Sequence, residues 1–482
     1  MMEQEELLTN IITEYLTEIP TIINRKTSKK DIKFEYRNEY YNMTKIIDNY
    51  INENETHKRF LVLPGIRGVG KTTLLYQIYE YLFKEKNIPL NQILYLSCDD
   101  INRTIECDLR QIVELYLKNY HRTTPRLLKK KIFLLIDEAQ YDKNWALLGK
   151  TIYDKTDNIF MIFTGSSALN IEYSADAKRR SKKIQIPPLT YPHHLKLKYK
   201  IHLKTSQEIK DMIFTGNINK IQNKEFEIKN MLINNLAYTE NDWINYILYG
   251  GYPVNYDETD LLEIRDKLVE TIEKVIDTDM PMIKNINKEN LTNADRIIRY
   301  LALQDSNETS MDKISKYLKT SSSNVKLILN TLEKTHIIFH CEPYGTSSKR
   351  TRKTWKYYFA TSSLKNALIS KIGNTNKNQE KYEGILLENL VASKLYQIND
   401  DNKEFTLYYD SNKKGNVDFI VHKEFTQPIP IEVGRGKKDK KQIKEAIHNY
   451  KSEHGILISN KTEHIEKEDN IIYIPPKTFA LL

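Results

Sequence analysis

Residues 59–86, RFLVLPGIRGVGKTTLLYQIYEYLFKEK, decide the fold of the N-terminal part of the chain. They begin with an apolar run that predicts a buried β-strand, pass through a glycine-bearing loop, and continue with apolar residues at helical spacing. The loop fits the pattern G-x-x-x-x-G-K-[ST], with Gly65, Gly70, Lys71 and Thr72 at the defining positions. In such a loop, backbone N–H groups and the positive end of the following helix surround phosphate oxygens. The stretch therefore predicts a strand–loop–helix unit that binds a nucleotide.

The residues of this loop have distinct expected roles toward ATP and Mg²⁺. Lys71 is expected to reach the β- and γ-phosphates, where its charge also assists catalysis. Thr72 is expected to offer its hydroxyl to the Mg²⁺ ion. Gly68 and Thr73 complete the predicted phosphate-contacting set. The loop thus predicts ATP and Mg²⁺ as cofactors.

A second motif places two carboxylates at the end of another buried strand. Residues 129–140, KKKIFLLIDEAQ, are a lysine run followed by five apolar residues and then Asp137 and Glu138. We expect Asp137 to hold Mg²⁺ through water and Glu138 to polarise the attacking water. Because this motif accompanies the phosphate loop in the right strand context, the two together predict ATP hydrolysis.

A third apolar strand, residues 158–170 (NIFMIFTGSSALN), ends in polar residues that begin with Thr164. A polar side chain at this strand end could contact the γ-phosphate or the water that attacks it. The same Thr-Gly-Ser-Ser sequence, with Ser166 and Ser167, is equally typical of a plain turn that leads into a helix. Both interpretations of Thr164 remain open at this point.

Several motifs occur in an order that resembles a known family: GIRGVGKTTLL, FLLIDEAQ, FTGSSALN, KRRSKKIQIPPLTYPHH and YGGYPVNY. The chain is similar to the AAA-type ATPases of archaea and bacteria that carry a C-terminal restriction-endonuclease-like domain. The resemblance implies that Arg180 is an arginine finger or phosphate sensor, since a guanidinium neutralises charge on the transferred phosphoryl group. The alternative is that KRRSKK is a solvated basic turn. The family's frequent assembly into rings makes a homo-oligomer one of the expectations.

The middle of the chain predicts two further modules. Residues 205–288 have helical periodicity and the size of the lid that closes over nucleotide in AAA-type ATPases. Residues 289–362 predict three helices and two strands, the order of a winged helix-turn-helix, with a recognition helix beginning near Ser322 or Ser323. This helix offers few base-reading side chains: Asn324, Lys326, Asn330 and Lys334. The wing offers basic ones: Lys349, Arg350, Arg352 and Lys353. DNA contact through phosphates and a protein–protein role are both open.

The C-terminal residues, 363–482, predict a restriction-endonuclease-like α/β domain. Within the resemblance, Glu388, Asp418 and Glu432 occupy the places that hold Mg²⁺ or Mn²⁺ in such nucleases. Gly434 stands where the nuclease motif has a lysine, so a cation for catalysis is missing from the expected position. Arg435, Lys437 or Lys438 could replace it, or the segment could be a basic loop that binds phosphate. The sequence therefore leaves open whether this domain cuts nucleic acid or holds it.

Composition sets the remaining expectations. The chain has 482 residues, 40% of them hydrophobic, and a formal net charge of +9, which permits an acidic polymer such as DNA as partner. Three cysteines are too few for a disulfide framework or a zinc site. No apolar run approaches membrane-spanning length, so we expect no membrane partner and a cytoplasmic location.

The predicted fold is α/β: an AAA-type P-loop ATPase core (1–204), a helical lid, a winged helix and the nuclease-like domain. We expect an ATP-hydrolysing enzyme whose nucleotide state controls DNA-contacting C-terminal modules. One alternative is a switch that binds nucleotide without hydrolysis and uses its C-terminal part to bind protein. Another is an ATP-dependent nuclease in defence against mobile DNA. ATP turnover and DNA integrity distinguish the three.

Overall fold

A computed structural model gives the fold of the chain. It describes residues 2–30, 32–166, 175–203, 206–256, 258–282, 286–305, 308–352, 354–373, 379–402, 404–412, 416–434 and 439–481. The chain divides into two compact units. The N-terminal unit comprises Met1–Pro187 and Thr278–Asn285, and the C-terminal unit comprises Pro188–Asp277 and Ile286–Leu482.

The N-terminal unit alternates strands and helices in the manner of a parallel α/β domain. Its α-helices are α1 (Met2–Thr27), α2 (Asn38–Ile51), α3 (Lys71–Glu80), α4 (Cys98–Thr104), α5 (Leu109–His121), α6 (Trp145–Lys155) and α7 (Ala175–Arg180). Its strands are β1 (Ser28–Lys29), β2 (Ile32–Lys33), β3 (Phe60–Pro64), β4 (Ile93–Ser97), β5 (Ile132–Asp137), β6 (Ile159–Gly165) and β7 (Lys182–Lys183).

Five of these strands form one parallel sheet in the order β4-β5-β6-β3-β7. Strands β3 to β6 are buried along their whole length, because helices cover both faces of such a sheet. Strand β3, the loop that follows it and α3 form the strand–loop–helix unit predicted from residues 59–86. In the register, Leu63 pairs with Thr164 and Ser97 pairs with Asp137. The polar ends of the central strands therefore lie at the carboxyl edge, beside the loop.

The C-terminal unit begins with helices and ends with a mixed sheet. Its α-helices are α8 (Tyr191–Tyr199), α9 (Ser206–Thr215), α10 (Asn219–Ile233), α11 (Glu240–Tyr249), α12 (Leu261–Lys274), α13 (Lys288–Leu303), α14 (Met311–Leu318), α15 (Ser322–Lys334), α16 (Ser347–Arg352), α17 (Ser362–Ile372), α18 (Gln379–Asn402), α19 (Asp439–Tyr450) and α20 (Pro476–Leu481). Its strands are β8 (Ile338–Pro343), β9 (Lys356–Phe359), β10 (Thr406–Tyr409), β11 (Phe419–His422), β12 (Ile429–Val433), β13 (Gly455–Ile458), β14 (Glu466–Glu468) and β15 (Ile471–Ile474).

One eight-stranded sheet joins these strands in the order β14-β15-β13-β12-β11-β10-β8-β9. Strands β8 and β9 pair antiparallel, as expected for the wing, and β8 also pairs in parallel with β10. The sheet therefore crosses position 362, where the sequence predicts a boundary between modules. Sequence periodicity could not indicate this, because pairing between strands distant in sequence leaves no local pattern.

The division of the chain also differs from the expected end of the ATPase core at residue 204. Helix α8 belongs to the C-terminal unit, while Thr278–Asn285 returns to the N-terminal unit. The segments 1–204, 205–288, 289–362 and 363–482 remain predictions as functional modules. Within the described residues, none of the helices has the length and apolar character needed to cross a membrane.

Candidate functional site

The phosphate loop connects β3 to α3 and depends on glycine at three of its positions; at the middle one, Gly68, φ is 81°. Gly70, directly before α3, has a φ of 97°, a left-handed conformation that L side chains adopt only with strain. At Gly65 an added Cβ would lie 2.4 Å from the carbonyl oxygen of Ile186. A side chain there would displace the loop from the strand end. Gly68 lies between them in the same turn.

Lys71 is buried within this loop at the first residue of α3. Its Nζ donates hydrogen bonds to the carbonyl oxygens of Gly65 at 2.9 Å and Ile66 at 3.1 Å. The same Nζ lies 3.9 Å from Glu138 Oε1. The ammonium group is therefore enclosed by the loop and faces the carboxylate that follows β5.

Asp137 is the centre of a hydrogen-bond network at the carboxyl edge of the sheet. Its Oδ2 accepts a hydrogen bond from Thr72 Oγ1 at 2.7 Å and one from the Tyr95 hydroxyl at 3.2 Å. Its Oδ1 accepts a short hydrogen bond from Thr164 Oγ1. Thr73, the next residue of α3, is half-buried beside Thr72. The structure thus brings together the predicted loop, the predicted acid and Thr164.

Burial raises the pKa of Asp137, and the charge of Glu138 raises it further. The hydrogen bonds from Thr164 and Thr72 and the charge of Lys71 oppose this shift. A buried carboxylate that is costly to ionise gains from a nearby cation. A divalent ion at Thr72 and Asp137 would supply that cation.

Glu138 adopts a left-handed backbone conformation with a φ of 50°. For a residue other than glycine this conformation costs about 1 kcal/mol. Its backbone N–H donates to Thr164 Oγ1 at 3.3 Å, and its Oε2 accepts from Gln140 Nε2 at 2.5 Å. These contacts hold the carboxylate toward Lys71. Thr164 therefore contacts the carboxylate of Asp137 and the backbone of Glu138, and Ser167 lies outside the described residues.

The structure does not bring Arg180 to this site. Arg180 ends α7, and β7 begins two residues later with Lys182 beside Leu61, near the start of β3. Since a strand rises about 3.3 Å per residue, the amino end of β3 and the phosphate loop are roughly 15 to 20 Å apart. Arg180 Nε instead donates to Asp154 Oδ1 at 2.6 Å. Arg180 therefore lies near the amino end of β3, away from the phosphate loop of its own chain, and its role as an arginine finger or phosphate sensor stays a prediction.

Two arginines beside the loop were missed by the sequence analysis. Arg37 is buried and donates to the carbonyl oxygens of Val69 at 2.5 Å and Pro187 at 2.8 Å. Arg67, within the loop, forms a bidentate ion pair with Asp279. Arg67 and Asp279 are 212 residues apart in sequence, so no local motif could have indicated the pair.

In the C-terminal unit, Asp418 and Glu432 lie side by side at one edge of the mixed sheet. The backbone N–H of Asp418 donates to Glu432 Oε2 at 3.3 Å. The backbone N–H of Val433 donates to Asp418 Oδ2 at 2.9 Å. Each carboxylate thus accepts a main-chain hydrogen bond where the start of β11 lies beside the end of β12.

Glu388 has other partners, on β9. The Tyr358 hydroxyl donates to Glu388 Oε1 at 2.9 Å, and Lys356 Nζ lies 4.0 Å from the same oxygen. Across the residues that the structure describes, no three or more His, Cys, Asp or Glu side chains are grouped so as to hold a metal ion. That Glu388, Asp418 and Glu432 jointly bind a metal stays a prediction; Glu388 and Asp418 both lie close enough to Tyr358 for their charges to raise its pKa.

Gly434 continues the sheet, since its N–H donates to the carbonyl oxygen of Ile458 at 3.0 Å. The cations that could replace the missing lysine, Arg435, Lys437 and Lys438, lie outside the described residues. Lys356 is a cation that the sequence analysis did not consider. It is largely buried and reaches Glu388 from β9, a strand that precedes the nuclease-like segment.

The predicted DNA-contacting residues fall into two groups. Asn324 of α15 is engaged internally, since its Nδ2 donates to Asn290 Oδ1 at 2.7 Å, whereas Lys326 and Lys334 are exposed. Arg350 of α16 donates to the Tyr408 hydroxyl at 3.1 Å. Helix α16 occupies the connection where the sequence suggested an open wing, and this turns Arg350 toward the sheet. Lys353 and the side chains of Lys349 and Arg352 lie outside the described residues.

Comparison with known proteins assigns this site to a domain class. Residues 57–195 match the family described as AAA domain. Residues 240–378 and 383–479 match two domains of unknown function, DUF8612 and DUF4143. The first match covers the phosphate loop, both acids and Thr164. Residues 57–195 therefore form an AAA-type P-loop ATPase domain.

A relative from Methanocaldococcus jannaschii, uncharacterized protein MJ1637, is 32% identical over 475 residues, which cover 98% of this chain and 94% of that protein. The chain belongs to the MJ1637 family. A second protein of that organism, uncharacterized protein MJ1544, is 24% identical, with 88% of this chain and 86% of that protein covered.

Among solved structures, the ORC2 protein of Aeropyrum pernix, described as ADPNP-ADP complexes, is similar to this chain. The two are 11% identical, with 73% of this chain and 98% of that chain covered and a TM-score of 0.38. A likeness of this size carries no conclusion about function.

Proposed function

We propose that this chain binds ATP with Mg²⁺ and hydrolyses it. The observation that carries the proposal is the 2.7 Å hydrogen bond between Thr72 and Asp137 at the mouth of the phosphate loop. It joins Asp137, the last residue of β5, to Thr72, the second residue of α3, the helix that follows β3. Lys71 and Glu138, 3.9 Å apart, complete the arrangement.

The residues present fit a Mg²⁺ ion. Mg²⁺ is usually held in proteins by one or two oxygen ligands together with substrate phosphates and water. Thr72 and Asp137 supply such oxygens, and the raised pKa of the buried Asp137 means that a cation stabilises its charged form. When bound, Mg²⁺ neutralises phosphate charge and orients the γ-phosphate.

The residues around the bound ATP and Mg²⁺ would have separate roles. Lys71 leaves the loop carbonyls to bind phosphate oxygens, and the Gly65–Gly70 backbone provides N–H donors. Glu138 holds and polarises the attacking water, with its direction fixed by Gln140. Thr164 keeps Asp137 in place. Arg180 would act on the nucleotide bound by a neighbouring copy of the chain in a homo-oligomer.

Glu138→Gln tests the proposal, because it keeps the shape of the side chain and removes the charge that polarises water. We expect phosphate release to fall by about 100-fold or more while ATP binding is retained. Glu18→Gln, an exposed glutamate of α1 in the same unit, is the matched control. Unchanged turnover in Glu138→Gln would contradict the proposal. Tight ADP retention with negligible wild-type turnover would support the switch that binds nucleotide without hydrolysis.

A second proposal is that the C-terminal unit contacts DNA. Helices α13, α14 and α15 followed by the antiparallel β8 and β9 have the element order of a winged helix-turn-helix. Helix α15 exposes Lys326 and Lys334, which suit contact with phosphates more than base readout. We expect Lys326→Glu with Lys334→Glu to weaken binding to duplex DNA about 10-fold or more at low salt, measured by fluorescence anisotropy. Lys313→Glu on α14 controls for charge alone, and equal losses in both would contradict a role for α15.

For the nuclease-like domain we propose that it holds nucleic acid without cutting it. The support is the use of Asp418 and Glu432 as acceptors for backbone N–H groups and the place of Glu388 beside Tyr358. Plasmid DNA incubated with the protein, ATP and Mg²⁺ or Mn²⁺ should stay intact. Metal-dependent cleavage that disappears in Glu432→Ala would overturn this and favour the ATP-dependent nuclease.

A further inference from the structure

Arg67 and Asp279 form a close ion pair at the phosphate loop. Arg67 Nε donates to both carboxylate oxygens of Asp279, at 3.1 and 3.2 Å, and Nη2 donates to Oδ1 at 2.8 Å. The Asp279 side chain is 2% exposed and that of Arg67 is 20% exposed. Three hydrogen bonds on one edge of a guanidinium fix its plane and its direction.

Arg67 lies within the phosphate loop, between Gly65 and Gly70 and four residues before Lys71. The charge of Glu138 acts on both Arg67 and Asp279, and the charge of Lys71 acts on Asp279. Since Lys71 serves the β- and γ-phosphates and Glu138 serves the attacking water, these charges place the pair at the γ-phosphate end of the site.

Asp279 depends on Arg67 for its charge. Burial raises the pKa of Asp279, and the hydrogen bond and charge of Arg67 oppose that shift. Burial alone would lower the pKa of Arg67, but the hydrogen bond and charge of Asp279, with the charge of Glu138, outweigh it and raise the pKa. A buried carboxylate that loses its cation is strongly destabilising. The pair should therefore stay intact when nucleotide binds.

We propose that Arg67 is a second cation for the γ-phosphate and that Asp279 is the positioning residue that sets its guanidinium. Asp279 occupies the edge formed by Nε and Nη2, so the proposal assigns the phosphate oxygen to the Nη1 end of the guanidinium. The inference rests on the proposed ATP site and adds to it a discrimination between ATP and ADP, since only ATP carries the phosphate that Arg67 meets.

The position of Asp279 in the chain gives this contact a further consequence. Asp279 lies in the short segment Thr278–Asn285, and the chain on both sides of it, Pro188–Asp277 and Ile286–Leu482, forms the C-terminal unit. A phosphate that fixes Arg67 also fixes Asp279, and covalent bonds connect Asp279 to that unit. ATP would therefore restrain the segment Thr278–Asn285 through the Arg67–Asp279 pair. ADP, which lacks the γ-phosphate, would not.

The test measures binding of ATP, the non-hydrolysable analogue AMPPNP and ADP to the full chain with Mg²⁺ by calorimetry. In Arg67→Ala we expect affinity for ATP and AMPPNP to fall 10- to 100-fold, while affinity for ADP changes less than about twofold. Asp279→Asn keeps the side-chain shape and should lower the ATP preference in the same direction by a smaller factor. Arg110→Ala, an exposed arginine of α5 paired with Glu114, is the matched control and should change neither.

The double variant Arg67→Ala/Asp279→Asn separates positioning from folding. It should show the same ATP-to-ADP ratio as Arg67→Ala, because Asp279 acts only through Arg67. It should also recover the melting temperature lost in Arg67→Ala, because no unpaired charge is then buried. Equal losses for ATP and ADP would overturn the inference and leave the ATP site standing. A wild-type chain that binds neither nucleotide would overturn both.

Discussion

The nucleotide site and the C-terminal acidic pair both lie at strand ends, yet their carboxylates face different partners. Asp137 accepts hydrogen bonds from hydroxyl groups, those of Thr72, Thr164 and Tyr95. Asp418 and Glu432 accept from backbone N–H groups. The first set of donors can rearrange and the second cannot.

This difference indicates what each site can do. A hydroxyl rotates and carries lone pairs, so it can release a carboxylate and turn an oxygen toward an incoming cation. A backbone N–H only donates, in a direction that the sheet fixes. A carboxylate oxygen that accepts such a hydrogen bond therefore helps to hold the strands in place. We therefore expect chemistry at Asp137 and mainly structure at Asp418 and Glu432.

The largest expected difference is in ATP turnover. Asp137→Asn removes the charge that would hold Mg²⁺ and should lower phosphate release by about 100-fold or more. Glu432→Gln should leave turnover within about twofold. A coupled phosphate-release assay on both variants checks this. A loss of turnover in Glu432→Gln as large as that in Asp137→Asn would remove the contrast.

The two units should also respond differently to acid, because the C-terminal unit contains a buried neutral histidine. Burial, together with the charge of Lys198, lowers the pKa of His194 from 6.5 to about 3, although Asp242 opposes the shift. The unfolded chain therefore binds a proton below pH 6.5 that the folded chain rejects. The stability that the neutral His194 contributes is fully present above pH 6.5 and is lost as the pH falls toward 3, by up to about 5 kcal/mol.

His194→Gln should flatten that part of the stability profile. Urea unfolding of both chains at several pH values between 6.5 and 4 measures the difference. In the N-terminal unit the sign is reversed for Asp137, whose raised folded pKa makes its ionisation unfavourable to folding as the pH rises above 3.8. Parallel pH profiles for wild type and His194→Gln would contradict the assignment.

The stability of the C-terminal pair offers a smaller and more local test. Asp418→Ala removes the acceptor of the half-buried Val433 N–H and should lower the free energy of unfolding by about 0.5 to 1.5 kcal/mol. Glu424→Ala, an exposed acid between β11 and β12, should change it by less than about 0.5 kcal/mol. If both variants unfold at the same urea concentration, Asp418 has no structural role and is free for chemistry.

The same contrast explains what the sequence could and could not predict. The phosphate loop, Asp137 and Thr164 follow from local patterns, because parallel strands bring their carboxyl ends to one edge. Asp279 lies 212 residues from Arg67 and belongs to no motif, so only the structure pairs them. The sequence places Glu388, Asp418 and Glu432 in the order of a nuclease-like site, but order does not determine whether a carboxylate contacts a hydroxyl, a lysine or a backbone N–H.

The smallest expected effect concerns Arg180, which marks the limit of the nucleotide site within one chain. Its ion pair with Asp154 is partly exposed, so Arg180→Ala should cost less than about 1 kcal/mol of stability. Turnover at low protein concentration should be unchanged, because the loop lies at the other end of the sheet. If turnover rises with concentration in wild type and does not in Arg180→Ala, the arginine acts on a neighbouring copy. A drop in turnover that is independent of concentration would instead mean that Arg180 reaches the nucleotide of its own chain.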